Sequence, residues 1–248
     1  MNTQIVIYGS WFDPSIVTRD WVIANGIVPD AEIHSSSMFE PGVVKLLTNE
    51  FEMLLMAPQL QLVPHLQGLE HELYVREVAL ALVNALPADT PMETVSLNLN
   101  WHVWPEMRDV NEVSRQLFFV PWNPTHKRFD KPDALFGSYL STEMLDGRMK
   151  LSVRPVQATV KAETRLRLSF AFNFETQLSQ ENSWNELLQH LGRWEDAKDA
   201  TKSLIRDVVA LKPARALKGL ANRVRQQDAK PPKSATDSGP LTVRAPQV

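Results

Sequence analysis

The chain contains no cysteine among its 248 residues. This absence excludes disulfide bonds, thiolate metal sites, iron–sulfur clusters and thiol catalysis. Glycine is also scarce: there are nine glycines, and neither G-x-x-x-x-G-K-[ST] nor G-x-G-x-x-G occurs. The sequence is therefore not predicted to be a P-loop NTPase or a Rossmann dinucleotide-binding protein. The G-x-S-x-G motif of the α/β-hydrolases is absent as well.

Long hydrophobic runs are missing, because no stretch reaches the roughly 18 apolar residues of a membrane helix. The first residues, MNTQIVIYGSWFDP, have neither a basic segment nor a long apolar run, so they do not predict a secretory signal. Apolar residues make up 44% of the chain and charged residues 22%, which is typical of a globular protein. We therefore expect a cytoplasmic protein that does not contact membranes.

The charges are distributed unevenly. Residues 1–200 carry 16 basic and 26 acidic side chains, whereas residues 201–248 carry 10 basic and 3 acidic ones. An acidic body repels phosphate backbones, while a basic tail attracts them. The tail is predicted either to bind a partner or to be a solvated extension.

Alternation of apolar and polar residues predicts most of the strands. Hairpin turns are expected at Pro58-Gln59 and, more strongly, at Asp146-Gly147. The predicted strands are 4–8, 31–35, 43–47, 51–56, 60–65, 94–104, 135–145, 148–156 and 164–175.

Apolar residues at helical spacing predict helices over 18–25, 69–86 and 109–118. Ser183 and Glu186 form a capping-box pattern that predicts a long helix over 183–211, with Trp184 as an anchor. A basic amphipathic helix is expected at 214–226. Residues 120–133 contain three prolines and no apolar period, which predicts an irregular loop.

Consecutive hairpins dominate this order of elements, which predicts an α+β fold with a mainly antiparallel sheet, helices packed on one face and a C-terminal helical extension. The predicted organisation is a single α+β domain over 1–211, a basic amphipathic helix over 212–227 and a disordered tail over 228–248. The composition of the tail cannot bury enough apolar surface to offset the entropy of ordering it.

The polar side of strand 94–104 is the first candidate site. Asn98, Asn100 and His102 point the same way at two-residue spacing. If Arg165 and Arg167 lie on a neighbouring strand, the face holds amides, an imidazole and two guanidinium groups, which suit a phosphate or carboxylate. The alternative is a solvated sheet face, or one that a helix covers.

Two further segments combine features of binding surfaces. The stretch 101–133 interleaves aromatic and basic residues, among them Trp122, Lys127 and Arg128. Such residues stack bases, form protein interfaces or bury their rings in the core. The basic helix carries the other candidate residues for a partner or nucleic acid, namely Arg215, Lys218, Arg223 and Arg225.

No metal, cofactor or catalytic residue is predicted. His71-Glu72 begins like the zinc motif H-E-x-x-H, but Val75 occupies the fifth position. An enzyme whose acid and base meet only in three dimensions stays possible, since such sites leave no local spacing.

The segments YGSWFDPSIVTRDWVIANGIV, FEMLLMAPQLQLVPH, ALVNALPADTP and VSLNLNWHVW follow one another in the first part of the chain. In this order they resemble a group of uncharacterised bacterial proteins. That group has a strand entering a turn with Gly, Phe and Pro, a short helix with Trp, a strand pair, a helix closing on L-P-x-T-P, and a strand with G-x-N. Ser96 stands where the group has glycine. The resemblance covers about residues 5–105, its motifs are structural, and it implies a bacterial, cytosolic protein without indicating an activity.

Two functions follow as hypotheses. The first is a non-catalytic interaction or assembly protein of the bacterial cytoplasm, which binds a protein partner or a second copy of itself through its C-terminal helices. The alternative is a nucleic-acid- or nucleotide-associated component of a bacterial defence or mobile-element system, binding through the basic tail.

Overall fold

The computed structural model describes residues 2–10, 12–66, 68–87, 89–104, 109–160 and 163–210. The predicted basic helix at 212–227, with Arg215, Lys218, Arg223 and Arg225, lies outside the described residues, as does the predicted tail at 228–248. Within the described part, strands and helices form an α+β fold, as the sequence predicts.

Every strand pairs with its neighbours in the antiparallel sense, giving one open nine-stranded sheet. The strands are β1 (Asn2–Tyr8), β2 (Met38–Glu40), β3 (Val43–Leu47), β4 (Phe51–Met56), β5 (Gln59–Pro64), β6 (Thr94–Val103), β7 (Ser138–Met144), β8 (Gly147–Val160) and β9 (Glu163–Gln177). Their order in the sheet is β2-β3-β4-β5-β1-β6-β9-β8-β7, so β1 lies near the centre and β2 and β7 are the edges.

The described residues also form six α-helices. They are α1 (Arg19–Ala24), α2 (Leu69–Ala85), α3 (Val110–Phe118), α4 (Pro124–Arg128), α5 (Ser183–Gly192) and α6 (Trp194–Ala210). Short 3-10 turns span Pro14–Ile16 and Asp30–Glu32. The Thr18 hydroxyl caps α1 by accepting a hydrogen bond from the backbone N–H of Trp21.

The strand register gives the sheet one apolar face. Ile5 on β1 lies between Leu62 and Leu97, and the row continues through Phe174 and Met149. These side chains join one hydrophobic cluster with residues of α2, α3, α5 and α6. Full burial of a side chain of this size contributes about 1.5–3 kcal/mol, so this face holds the fold together.

Two predicted turns are displaced by one residue. The β4–β5 turn is at Ala57-Pro58, because Met56 pairs with Gln59. The β7–β8 turn is at Leu145-Asp146, where both residues adopt φ of 55°. Gly147 begins β8, where an added Cβ would lie 2.6 Å from the carbonyl oxygen of Glu175, so the glycine serves a close strand approach and not the turn.

Three other predictions are wrong. Residues 31–35 do not form a strand, because the 3-10 turn Asp30–Glu32 occupies their start. Residues 120–133 are not wholly irregular, since Asn123 caps α4 and Pro124 is its first residue. The predicted helix over 183–211 is interrupted at Arg193, which separates α5 from α6.

The capping box at the start of α5 is also incorrect. Asn182 occupies the N-cap position. Glu186 reaches back to Ser179 instead, whose backbone N–H and hydroxyl donate to its carboxylate at 2.6 and 2.9 Å. Trp184 is half-buried and packs against the hydrophobic core, which agrees in kind with its predicted role as an anchor.

Gly9, the residue after β1, lies too close to the backbone of Pro91 to accommodate a side chain. A methyl group added at Gly9 would collide with the backbone carbonyl oxygen of Pro91, whereas nothing lies within 4 Å of one added at Gly42. We expect Gly9→Ala to lower the free energy of unfolding by about 1–3 kcal/mol, because backbone atoms must move. Gly42→Ala is the matched control and should change it by less than about 0.5 kcal/mol. Urea denaturation measures both, and equal midpoints would contradict the prediction.

Candidate functional site

The face of the sheet opposite the hydrophobic core is polar in its β6–β9–β8 part. Register places Asn98 beside Asn173 and Asn173 beside Lys150, and the next row joins Asn100, Ala171 and Ser152. Most of these side chains are half-buried, and residues of α2, α3, α5 and α6 belong to the core cluster on the opposite, apolar face. We call this surface, formed by outward-facing residues of β6, β9 and β8, the polar face.

At one end of the polar face, the polar side chains are paired with one another. The Asn173 amide donates to the Asn98 oxygen at 2.8 Å. Lys150 Nζ lies 2.8 Å from a carboxylate oxygen of Glu175, and both side chains are partly buried. The predicted site residue Asn98 is therefore committed to a contact within the sheet.

The other end of the polar face gathers positive charge. His102 lies opposite Ser169, which in turn lies opposite Arg154. Arg167 precedes Ser169 by two residues and lies on the same side of β9. Its guanidinium carbon is 5.9 Å from the centre of the Trp104 ring. Partial desolvation and the neighbouring Arg167 charge both lower the pKa of His102, so its imidazole is neutral at pH 7.

The structure therefore brings His102 and Arg167 together, because β9, which carries Arg167, lies next to β6 in the sheet. Arg165 lies further along β9, opposite Ala158, beyond the end of β6. Arg154 was not identified from the sequence. Arg154 alternates with the apolar residues of β8. Its place beside Ser169 and His102 becomes evident only once β9 is known to be the partner of β8.

The segment after α3 carries the aromatic and basic candidates. Trp122 is 68% exposed. Lys127 and Arg128 are exposed at the end of α4. The segment is anchored from within by Phe119, which packs edge-on against Phe136 with ring centres 5.1 Å apart.

Exposed large apolar side chains concentrate in and around this segment. They comprise Trp104, Trp122, Phe129, Leu135, Tyr139 and Leu140. Tyr139 and Leu140 belong to the edge strand β7, where they are 66% and 56% exposed. Tyr139 lies opposite Ser152 on the side of the polar face, and Leu140 lies opposite Leu151 on the apolar side.

A separate cleft of about 360 Å³ is lined by Glu32, Asn49, Glu50, Glu70, His71 and Tyr74. His71 Nδ1 lies 2.5 Å from a carboxylate oxygen of Glu50. Desolvation and nearby Glu32 raise the pKa of Tyr74 to about 12. Within the described ranges, no group of three or more His, Asp or Glu side chains is arranged to hold a metal ion.

The apolar stripe of α5 and α6 packs against the core of the protein. Leu187, Leu191, Trp194, Ala197 and Ile205 are all buried in the core cluster. This stripe is therefore not an exposed surface for a partner. None of the helices in the described part of the chain has both the length and the apolar composition needed to cross a lipid bilayer.

The sequence was compared with protein-family models and with curated proteins, and neither comparison gives a match.

Proposed function

We propose that the protein is a non-catalytic assembly protein of the bacterial cytoplasm, in which two copies of the chain join through strand β7. The observation that carries this proposal is the free β7 edge. β7 is seven residues long, and among the described residues it pairs on one side only, with β8. Its unpaired backbone groups can extend the sheet into a second chain.

Natural sheet edges are usually protected by charges, prolines, bulges or shortness. β2, at the opposite edge, has only three residues. β7 has the sequence SYLSTEM, in which Glu143 is the one charged residue and no proline occurs. It is also paired with β8 in unbroken register. β7 therefore lacks the features that keep an edge strand from pairing.

A second copy of the chain suits β7 because the strand complements itself. Antiparallel pairing about a two-fold axis at Ser141 puts Leu140 opposite Thr142 and Tyr139 opposite Glu143. The charge of Glu143 then faces an aromatic ring and not itself, and like charges do not oppose each other. Leu140 would extend the apolar face across the interface.

The C-terminal helices, through which the sequence suggested assembly, support the proposal only indirectly. Most apolar residues of α5 and α6 pack within the chain, whereas Leu188 is 38% exposed. They stabilise the sheet whose edge is free. The resemblance to uncharacterised bacterial proteins supports the cellular setting and adds no activity.

We expect Leu140→Lys to abolish self-association, because it places an ammonium group at the centre of the apolar side of the edge. Sedimentation equilibrium should give twice the 28.1 kDa chain mass for the wild type and the chain mass for the variant. Leu188→Lys, on the exposed side of α5, is the matched control and should remain dimeric. A wild type that stays monomeric over the concentration series, or a dimeric Leu140→Lys protein, would contradict the proposal.

A further inference from the structure

The polar face has a cationic end that contains Arg154 and Arg167. Arg154 is exposed, and no described carboxylate lies within salt-bridge distance of Arg154 or Arg167. The Nε atom of Arg167 is buried and has no hydrogen-bond partner among the described residues. Glu175, the acid on the same side of β9, is six residues from Ser169, roughly 20 Å along the strand, and is held by Lys150.

Aromatic rings flank this cationic end. Trp104 is 42% exposed, and the Arg167 guanidinium covers one part of its ring. Tyr139 is 66% exposed and lies in the row of Asn100, Ala171 and Ser152. Ser169, Ala171 and Ser152, which lie in these rows of the polar face, have small side chains.

We propose that the polar face binds a single-stranded nucleic acid, with Arg154 and Arg167 contacting phosphates and Trp104 stacking on a base. Cationic grooves with exposed rings are how proteins bind single strands without reading their sequence. A duplex hides the faces of its bases and would leave both rings unused. An acidic peptide would satisfy the guanidinium groups but would give Trp104 no planar partner.

His102 reports on the occupied site. Its imidazole is adjacent to Arg167, whose charge contributes to the lowered pKa. A phosphate bound between Arg154 and Arg167 favours the charged imidazolium, so binding should raise the pKa of His102. His34, which bonds to Asn49 away from β6 and β9, supplies an internal reference.

The test is fluorescence anisotropy of the full chain with labelled oligouridylate and oligodeoxythymidylate of about 12 nucleotides. Arg154→Gln and Arg167→Gln should weaken binding and should each reduce the slope of log Kd against log salt by about 0.7. Trp104→Leu should weaken binding roughly 5- to 150-fold with an unchanged slope. Binding of either oligonucleotide with these responses supports the proposal.

Lys45→Gln is the matched control. Lys45 belongs to the same side of the sheet as the polar face, in the row of Leu54 and Gln61, but it lies on β3, five strand positions from β9. Removing its charge should leave affinity and slope unchanged. Circular dichroism establishes that each variant is folded, so a lost signal can be assigned to the surface.

Several outcomes would overturn the proposal. One is no binding of either oligonucleotide by the wild type. A second is binding that is lost on substitution of Arg215, Lys218, Arg223 and Arg225 but not on substitution of Arg154, Arg167 or Trp104. A third is tighter binding of an oligoglutamate peptide that does not depend on Trp104. A fourth is a His102 pKa, followed by NMR, that does not rise when the oligonucleotide is bound.

The three residues that the test substitutes, Arg154, Arg167 and Trp104, do not lie on β7, so their effect on binding does not depend on self-association. Leu140, the site of the assembly variant, lies on the apolar side of β7, away from the polar face. Leu140→Lys should therefore remove the dimer and retain the dependence of oligonucleotide binding on Arg154, Arg167 and Trp104. The two proposals can fail separately.

Discussion

Glu72→Ala is expected to lower the free energy of unfolding by about 3–5 kcal/mol, because it leaves a buried ammonium group without its buried carboxylate partner. Glu72 on α2 is 2% exposed and Lys198 on α6 is 8% exposed. Lys198 Nζ lies 2.6 Å from Glu72 Oε2, and Glu195 is a second partner at 3.2 Å. The two residues are 126 positions apart in sequence, and their pair connects α2 with α6.

Lys198 stays charged in this environment. Burial by itself lowers its pKa, but hydrogen bonds to Glu72 and Glu195 outweigh that effect and raise the pKa above its ordinary value of 10.5. A lysine whose pKa rises on folding contributes stability at pH values below its ordinary pKa, and the contribution is lost as the pH passes through the higher folded value. The ion pair is therefore intact at neutral pH.

The measurement is urea denaturation at pH 7, followed by circular dichroism. Asp199→Ala is the matched control, because the Lys202–Asp199 pair is a three-residue-spaced pair on the same helix but is exposed to solvent. Exposed pairs contribute little, so this variant should keep the wild-type midpoint. The double variant Glu72→Leu with Lys198→Met should recover most of the loss, since it removes both charges. Equal midpoints for Glu72→Ala and Asp199→Ala would contradict the prediction.

The pair also illustrates why the sequence predicts elements better than contacts. In the sequence, His71-Glu72 resembles only the start of a metal motif that Val75 interrupts. In the folded protein the two side chains point to different partners, since His71 contacts Glu50 and Glu72 contacts Lys198. Adjacent residues on a helix face different directions, and their partners come from distant parts of the chain.

Strands were predictable because their burial follows a period of two. β6 and β9 alternate along most of their length, and the structure pairs them directly from Thr94 with Gln177 to Val103 with Leu168. The position of the polar face beside Arg167 follows from that pairing. The pairing itself could not be derived, because nothing local indicates that β9 returns beside β6.

Turns and helix ends were harder because the deciding contacts are long-range. Asp146 lies in the β7–β8 turn and forms an ion pair with Arg193, the residue that separates α5 from α6. The local sequence around either residue does not indicate that Asp146 and Arg193 lie close together in the folded protein. By contrast, the start of α4 was present in the sequence, because Asn123 followed by Pro124 is a typical N-cap and first helical residue.

His190 should make the protein unusually sensitive to mild acid. It is 6% exposed on α5 and lies 2.9 Å from the Thr176 hydroxyl on β9. Burial is the main cause that lowers its pKa from 6.5 to about 4, with the Arg193 charge adding to the effect and a hydrogen bond to the Phe174 backbone opposing it. Between pH 6.5 and about pH 4, the folded state thus holds a neutral imidazole where the unfolded chain holds a charged one.

The sign of the effect follows from proton uptake. Between the two pKa values the unfolded chain binds a proton that the folded protein does not, so stability falls as the pH falls from 6.5 towards 4. This difference between the pKa values of the folded and unfolded states lowers the free energy of unfolding by about 3 kcal/mol at pH 4, from His190 alone. Above the ordinary pKa of histidine the contribution of His190 is constant.

The expected result is that His190→Gln removes this part of the acid sensitivity, because glutamine does not titrate. The free energy of unfolding is measured by urea denaturation at intervals between pH 7 and pH 4 for each protein. Carboxylates add their own acid dependence, so the informative quantity is the difference between the wild type and the variant at each pH. His34→Gln, which replaces a surface imidazole, should keep the wild-type profile. Because His190 packs α5 against β9, a parallel profile for His190→Gln would mean that this contact tolerates a charged imidazole.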